Sequence, residues 1–251
     1  MKTIIYLLIG GLIIVSGCNT LSKKSEKASQ TQHLKAILFA EQSPVIDGKA
    51  TEPVWEQQEW QSLDQNWVGE PYSSQDFEGK YKLAWDKNYI YVLAEIKDDT
   101  LIDIHPDGLD RYWDDDCLEI FIDEDASGGN HQYNHQAFAY HISLDQRVTD
   151  MGLDSTAIYL DSHINSKHRR KGDISTWEVS MKLFDSTFQE AGSNTAATLS
   201  EGKKIGFALA YCDNDTSKTR ENFIGSEVVE GEDKNRGWID AGIFREYTLT
   251  K

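Results

Sequence analysis

The chain has 251 residues, 25 basic and 42 acidic, for a formal charge of −17. The first 35 residues hold five lysines and one glutamate, so residues 36–251 carry 25 − 5 = 20 basic and 42 − 1 = 41 acidic side chains, near −21. A body that acidic repels nucleic acid and anionic lipid, which leaves neutral ligands and cations as partners.

Residues 4–15 are an apolar run behind Lys2. A bilayer-crossing helix needs about 20 residues, so the run is too short to span and fits the core of a signal peptide. It ends in Val15-Ser16-Gly17-Cys18, which resembles the lipobox of bacterial lipoproteins. The resemblance implies that residues 1–18 are a lipoprotein signal peptide, cleaved before Cys18, which then carries the lipid. Each buried CH₂ of such an anchor adds about 0.8 kcal/mol of membrane affinity. Asn19 is not the Asp of an inner-membrane retention signal, so the expectation is an exported protein held to the cell envelope, at the outer membrane rather than the inner. Residues 19–35 are polar, rich in Ser and Lys and without apolar periodicity; they cannot offset chain entropy and read as a flexible linker.

The remaining residues, 36–251, suit one domain. Their apolar periodicity is two, which marks strands. Residues 80–85 and 89–95 alternate on either side of Asp86-Lys87-Asn88, a tight hairpin turn. Further strands are expected at 117–123, 136–144, 156–163, 176–183, 204–211 and 247–250, and short helices at 52–58 and 183–189. Short strands separated by Gly, Asn and Asp turns predict an all-β chain folded as an antiparallel β-sandwich of jelly-roll or immunoglobulin-like type. Cys117 and Cys212 remain after processing; in an oxidising compartment they form either a disulfide or two buried thiols.

A series of motifs then resembles one family. These are Val45-Ile-Asp47-Gly48 with Glu52-Pro-Val-Trp55, Trp85-Asp86-Lys-Asn-Tyr89-Ile-Tyr91 with Asp98-Asp99, and Tyr112-Trp113-Asp-Asp-Asp116-Cys-Leu-Glu119-Ile-Phe-Ile-Asp123. Trp177-Glu178, Ile205-Gly206-Phe207 with Asp213-Asn214-Asp215, and Gly237-Trp238 with Phe244 follow in order. Together they resemble the family 9 carbohydrate-binding modules over residues 44–251. The resemblance implies non-catalytic binding of a mono- or oligosaccharide by a membrane-anchored protein, linked to polysaccharide capture or carbohydrate catabolism.

In that family a sugar lies between two Trp rings, with carboxylates and amides around it. Trp113 falls on the first Trp position and Glu119 and Asp98 on acceptor positions. The second Trp position aligns with Ser226, and Phe223 and Trp238 are the candidates to replace it. An Arg expected in the strand at 136–144 is replaced by Ala139 or Tyr140. With one ring plate the expected affinity is on the order of 10⁻⁴ M. Glu119 shares a strand with Leu118, Ile120 and Ile122, whose alternation sends Glu119 to the opposite face with Cys117 and Phe121. An ion pair with Arg111 or Arg220 is the structural alternative for it.

No cofactor is required by this reading, and the resemblance implies structural Ca²⁺. The acidic clusters Asp114/Asp115/Asp116, Asp123/Asp125 and Asp213/Asp215 offer hard oxygen ligands, of which Asp123 and Asp125 are the expected metal residues. His131 and His135 lie four apart but not on a helical face. The basic run 167–171 reads as a solvated hairpin tip. Two other function classes stay open: a glycoside hydrolase working through two of Asp98, Asp116 and Glu119, and a haem-binding electron-transfer sandwich using Met151 or Met181.

Overall fold

The computed structural model describes residues 35–251. The leader expected at 1–18, with Cys18, and all of the expected linker except Lys35 lie outside the described residues. Lys35 itself belongs to the fold: it opens strand β1 (Lys35–Phe39), which runs parallel to two other strands, so the sandwich is mixed rather than wholly antiparallel.

The strands in chain order are β2 (Gln61–Leu63), β3 (Gln65–Val68), β4 (Phe77–Trp85), β5 (Ile90–Asp98), β6 (Cys117–Asp123), β7 (Phe138–Ser143) and β8 (Val148–Met151). They continue with β9 (Ala157–Tyr159), β10 (Ile164–Lys171), β11 (Ile174–Met181), β12 (Lys204–Asp213), β13 (Asn222–Gly225) and β14 (Arg245–Thr250). Hydrogen bonding runs β10-β11-β5-β4-β1-β14-β12-β6-β7-β8-β9, with β2 added on β4 and β3-β13 on β12. The ribbon folds over on itself. Alternate residues of β4, β5 and β11, such as Leu83, Val92 and Trp177, pack with Leu118, Ile120, Tyr140, Phe207 and Leu249 of the other half in one core.

Local chemistry explains the boundaries. Asp86 closes the β4–β5 hairpin by accepting from the N–H of Asn88 at 2.7 Å and of Tyr89 at 2.9 Å. Helix α1 (Pro53–Gln57) has Pro at its first position, where the missing N–H costs nothing. It brings Trp55 against Ala84, Tyr91 and Leu93 on the outer face of β4 and β5. The Glu178 carboxylate fastens this segment, accepting from Gly48 N at 2.8 Å, Ala50 N at 3.2 Å and Trp55 Nε1 at 3.1 Å.

Three expectations need correction. Residues 183–189 are a turn and not a helix, because Asp185 accepts from Thr187 N at 2.9 Å and so competes with helical bonding. The expected strand at 156–163 shrinks to β9, since the chain turns at 160–163 with His163 N on Leu160 O at 2.9 Å. The basic run 167–171 is the second half of edge strand β10, not a hairpin tip. Lys and Arg on an exposed edge discourage pairing with another chain.

Candidate functional site

Strand β6 separates two environments. Leu118, Ile120 and Ile122 enter the main core, while Cys117 and Phe121 face outward with Ala139, Ala208, Ala210, Cys212 and Phe223 in a second apolar cluster. Glu119 lies on this outward face, as the alternation predicts, and is 2% exposed. Small residues on β7 and β12 leave room above it. A cleft of about 230 Å³ opens there, lined by Glu119, His141, Trp113 and Trp238.

Trp113 sits in the β5–β6 connection, where a tight turn bonds Asp114 N to Arg111 O at 2.8 Å. Arg111 takes φ +52°, a left-handed conformation uncommon outside glycine, and the turn leaves Trp113 36% exposed. Tyr112 braces it, its ring edge-on to Trp113 at 4.9 Å and to His141 at 4.7 Å. Trp238 comes from the far end of the chain. His131 Nε2 donates to Gly237 O at 2.7 Å, and Ile239 N bonds Arg236 O at 2.9 Å, so this turn is fixed from two sides. Gly237 lies so close to the Phe121 ring that a Cβ would approach it to 2.8 Å.

The polar groups are fixed as firmly. Glu119 Oε2 lies 3.0 Å from His141 Nε2. Burial disfavours charge on His141, but the Glu119 carboxylate outweighs it and holds the imidazole pKa above its ordinary value. Arg220 reaches the cleft from the β12–β13 connection, its guanidinium carbon 4.1 Å from the Phe223 ring centroid. Its Nη2 donates to Asn235 Oδ1 at 3.1 Å and its Nη1 to Cys212 Sγ at 3.3 Å. Asp150, the other carboxylate on the cleft, accepts from Ala139 N at 3.0 Å and Met151 N at 2.7 Å.

Two indoles, a carboxylate, an amide and a guanidinium thus line one cleft, and residues 46–251 match the sequence model of the carbohydrate family 9 binding domain-like family. The chain belongs to that family. It is 37% identical over 82 residues, 33% of its length, to endo-1,4-beta-xylanase A of Thermotoga maritima, and spans 7% of that enzyme. Two solved structures of a family 9 carbohydrate binding module from Caldicellulosiruptor kristjanssonii share its fold. One is in complex with glucose, with a TM-score of 0.61 at 21% identity over 86% of this chain and 96% of that one. The other is in complex with cellotriose, with the same score and identity over 86% and 94%.

Of the expected family 9 residues, the structure brings Trp113 and Glu119 into the cleft and leaves Asp98 out of it. Of the candidates for the second ring, Trp238 lines the cleft with Trp113, whereas Phe223 is 1% exposed in the apolar cluster. Ser226 is instead a structural hydroxyl, accepting from Leu209 N at 3.0 Å. His141 stands directly opposite Glu119 in the β6–β7 register, and Arg220 supplies the guanidinium. The ion pair weighed for Glu119 is with His141, while Arg111 pairs with Asp110 at 3.5 Å. Sequence reasoning offered Trp238 as one of two candidates without a spacing to choose it, and missed His141, Asp150 and Asn235. The available signal was a Gly-Trp step closing the polar, turn-rich segment 230–237.

Asp98 lies elsewhere, in a buried acidic cluster with Asp116 and Asp213, where one carboxylate oxygen of each falls within 4.8 Å of the others. Asp98 Oδ2 accepts from Tyr211 OH at 2.9 Å, and Asp116 Oδ1 from Asn214 N at 2.9 Å. Asp213 Oδ1 is buried without a partner. Burial, reinforced for the last two by the charge of Asp98, pushes the carboxyls up to about 6 for Asp98, 9 for Asp116 and 8 for Asp213. Asp123 and Asp125 are placed apart from this cluster. Asp123 accepts from Gly128 N at 2.7 Å and Asp125 N at 3.2 Å, and Asp125 from Ser127 N at 3.0 Å, so these carboxylates organise the turn after β6.

Cys117 and Cys212 face each other across β6 and β12 as free, buried thiols. His131 and His135 have separate partners, Gly237 O and Glu190 Oε1.

Proposed function

We propose that the cleft binds a neutral mono- or oligosaccharide and does no chemistry on it. The observation that carries this reading is the gathering of Trp113, Trp238 and Glu119 around one cleft. A pyranose offers two apolar C–H faces and a polar rim, which indole plates and fixed hydrogen-bonding groups match. The second plate raises the expected affinity. An extra ring face of about 80 Å² adds about 2 kcal/mol, some thirtyfold, so the dissociation constant is expected at about 3 × 10⁻⁶ M rather than 10⁻⁴ M. Both carboxylates of the cleft are engaged, Glu119 by His141 and Asp150 by two backbone N–H groups, which favours recognition over acid–base catalysis. Calorimetry against mono- and oligosaccharides across a salt series tests the reading. Binding that barely changes with salt supports it, and a steep salt dependence would point to a charged ligand.

The buried cluster of Asp98, Asp116 and Asp213 fits a calcium ion, with Asp213 Oδ1 supplying an oxygen that nothing else satisfies. In this reading the ion takes the role expected of it, at these residues and not at Asp123 and Asp125. The carboxyl pKa values are raised in the fold, so the folded state holds protons that the unfolded state releases near pH 4. Folded stability without a cation therefore falls as pH rises from about 4 toward 9. In chelator the melting temperature should drop along that window. Calcium at about 100 times its dissociation constant should restore about 2.7 kcal/mol, or about 5–10 °C, and one fixed calcium concentration should restore more at pH 8 than at about pH 5. Equal melting curves with chelator and calcium at pH 8 would remove the ion from this site.

The chain is further proposed to work as an exported, lipid-anchored binder in carbohydrate capture, on the strength of Ser16-Gly17-Cys18 behind the apolar run. Cys18→Ser should release it from membranes or leave it unprocessed, and a correctly cleaved variant that still sediments with membranes would end that reading.

A further inference from the structure

Under the floor of the cleft, three different metal-ligating side chains converge. Glu119 on β6, His141 on β7 and Cys212 on β12 each place one ligand atom within 4.8 Å of the other two. They are 2%, 7% and 0% exposed. Glu119 Oε2 stands 3.0 Å from His141 Nε2 and 4.0 Å from Cys212 Sγ. The sheet builds this geometry: Glu119 is directly opposite His141 on one side and Ala210 on the other, and Cys212 is the next outward residue of β12. Ala139 and Ala210 leave the space between them open to the three longer side chains.

Two further contacts prepare these atoms for a metal. The second imidazole nitrogen, Nδ1, donates to Ala139 O at 3.1 Å. That bond fixes the ring and aims Nε2 at the other two ligands, the arrangement that orients a metal-bound histidine. Arg220 Nη1 donates to Cys212 Sγ at 3.3 Å, which favours the thiolate over the thiol. A carboxylate, an imidazole and a thiolate form the mixed ligand set that a borderline ion accepts, and zinc bonds them at about 2.0–2.3 Å. The acidic cluster, made of oxygens alone, suits a harder ion.

We propose that Glu119, His141 and Cys212 form a zinc site whose fourth position opens into the cleft between Trp113 and Trp238. Glu119 and His141 line the cleft while Cys212 lies behind them, so the open side faces the bound ligand. Binding displaces the proton of Cys212 and any proton on His141 to solvent, and the two anionic ligands balance the ion's charge. A water molecule or a hydroxyl of the cleft's ligand would complete the coordination. The inference stands independently of the carbohydrate reading, because it concerns the metal without sugar.

Cobalt reports such a site directly. The full-length protein, in detergent, kept reduced and saturated with calcium to fill hard-oxygen sites, should take up one Co²⁺. A thiolate-to-cobalt charge-transfer band should appear in the near ultraviolet and bleach on adding Zn²⁺. Cys212→Ser should abolish the band. His141→Gln, which keeps the thiol, should weaken cobalt binding roughly tenfold or more, and it serves where Cys212→Ser fails to fold. Absence of the band in the wild type, its survival in a folded Cys212→Ser variant, or unaltered affinity in His141→Gln each overturns the site. Sugar binding measured in chelator on the same samples separates failure of the zinc site from failure of the carbohydrate reading.

Discussion

Trp113→Ala and Trp238→Ala are each expected to weaken saccharide binding about thirtyfold, and the double variant about a thousandfold, beyond the reach of ordinary calorimetry. Each indole offers one plate of about 80 Å², worth about 2 kcal/mol of contact with a sugar face. The plates lie on separate loops, so their losses should add. Neither ring supports the main core: Trp113 is 36% exposed and Trp238 half-buried, so melting temperatures should stay close to that of the wild type. Glu119→Gln should cost a comparable amount, about 1.5–3 kcal/mol, because it loses a charge-assisted bond to a sugar hydroxyl while keeping an acceptor. Undiminished binding by the double variant would mean that the cleft is not the site. A collapse in melting temperature would make the two rings structural.

Truncation of the core tryptophans should do the reverse. Trp85 is 1% exposed, packs edge-on against Phe39 at 4.9 Å, and donates from Nε1 to Thr250 O at 3.0 Å. Its ring thus ties β4 to the neighbouring parallel strand and to the C-terminal one. Trp85→Ala leaves a cavity and an unsatisfied carbonyl, and should cost about 3–5 kcal/mol. Total stability is about 5–15 kcal/mol, so the melting temperature should fall by about 6–20 °C. Trp55, 3% exposed, should respond similarly, because its loss also removes the Nε1 donor from the Glu178 carboxylate that fastens the segment before α1. Denaturant titration measures both. Unchanged stability with lost sugar binding would move these rings from the core to the site.

The two kinds of tryptophan were separable in the sequence, since Trp85 closes an alternating strand and Trp113 sits among aspartates in a loop. Strand β6 was legible to the residue, because an alternating run bounded by charged turns has one way to divide its side chains between core and surface. So was the direction of Glu119. The short strands β2, β3 and β13 were not legible. They alternate over only three or four residues, and long-range pairing, such as the Trp67 ring lying across Gly225, defines them. The basic run on β10 read as a turn because an edge strand with one solvated side carries too few apolar residues to show its period.

By itself, the sequence determined an acidic all-β body, the motif order of the family, and the first plate and carboxylate, which lie six residues apart where one turn leads into one strand. The tertiary structure alone decided which residues complete the site. Trp238 joins Trp113 at the cleft from 125 positions away through a turn held by His131 and Gly237. Arg220 comes from a different connection again, and Asp98 turns toward a second cluster. Neighbours on one strand keep a fixed rise and a fixed alternation, so their spacing survives in the sequence. Residues on separate loops meet at distances set by strand order and register, which no count along the chain records.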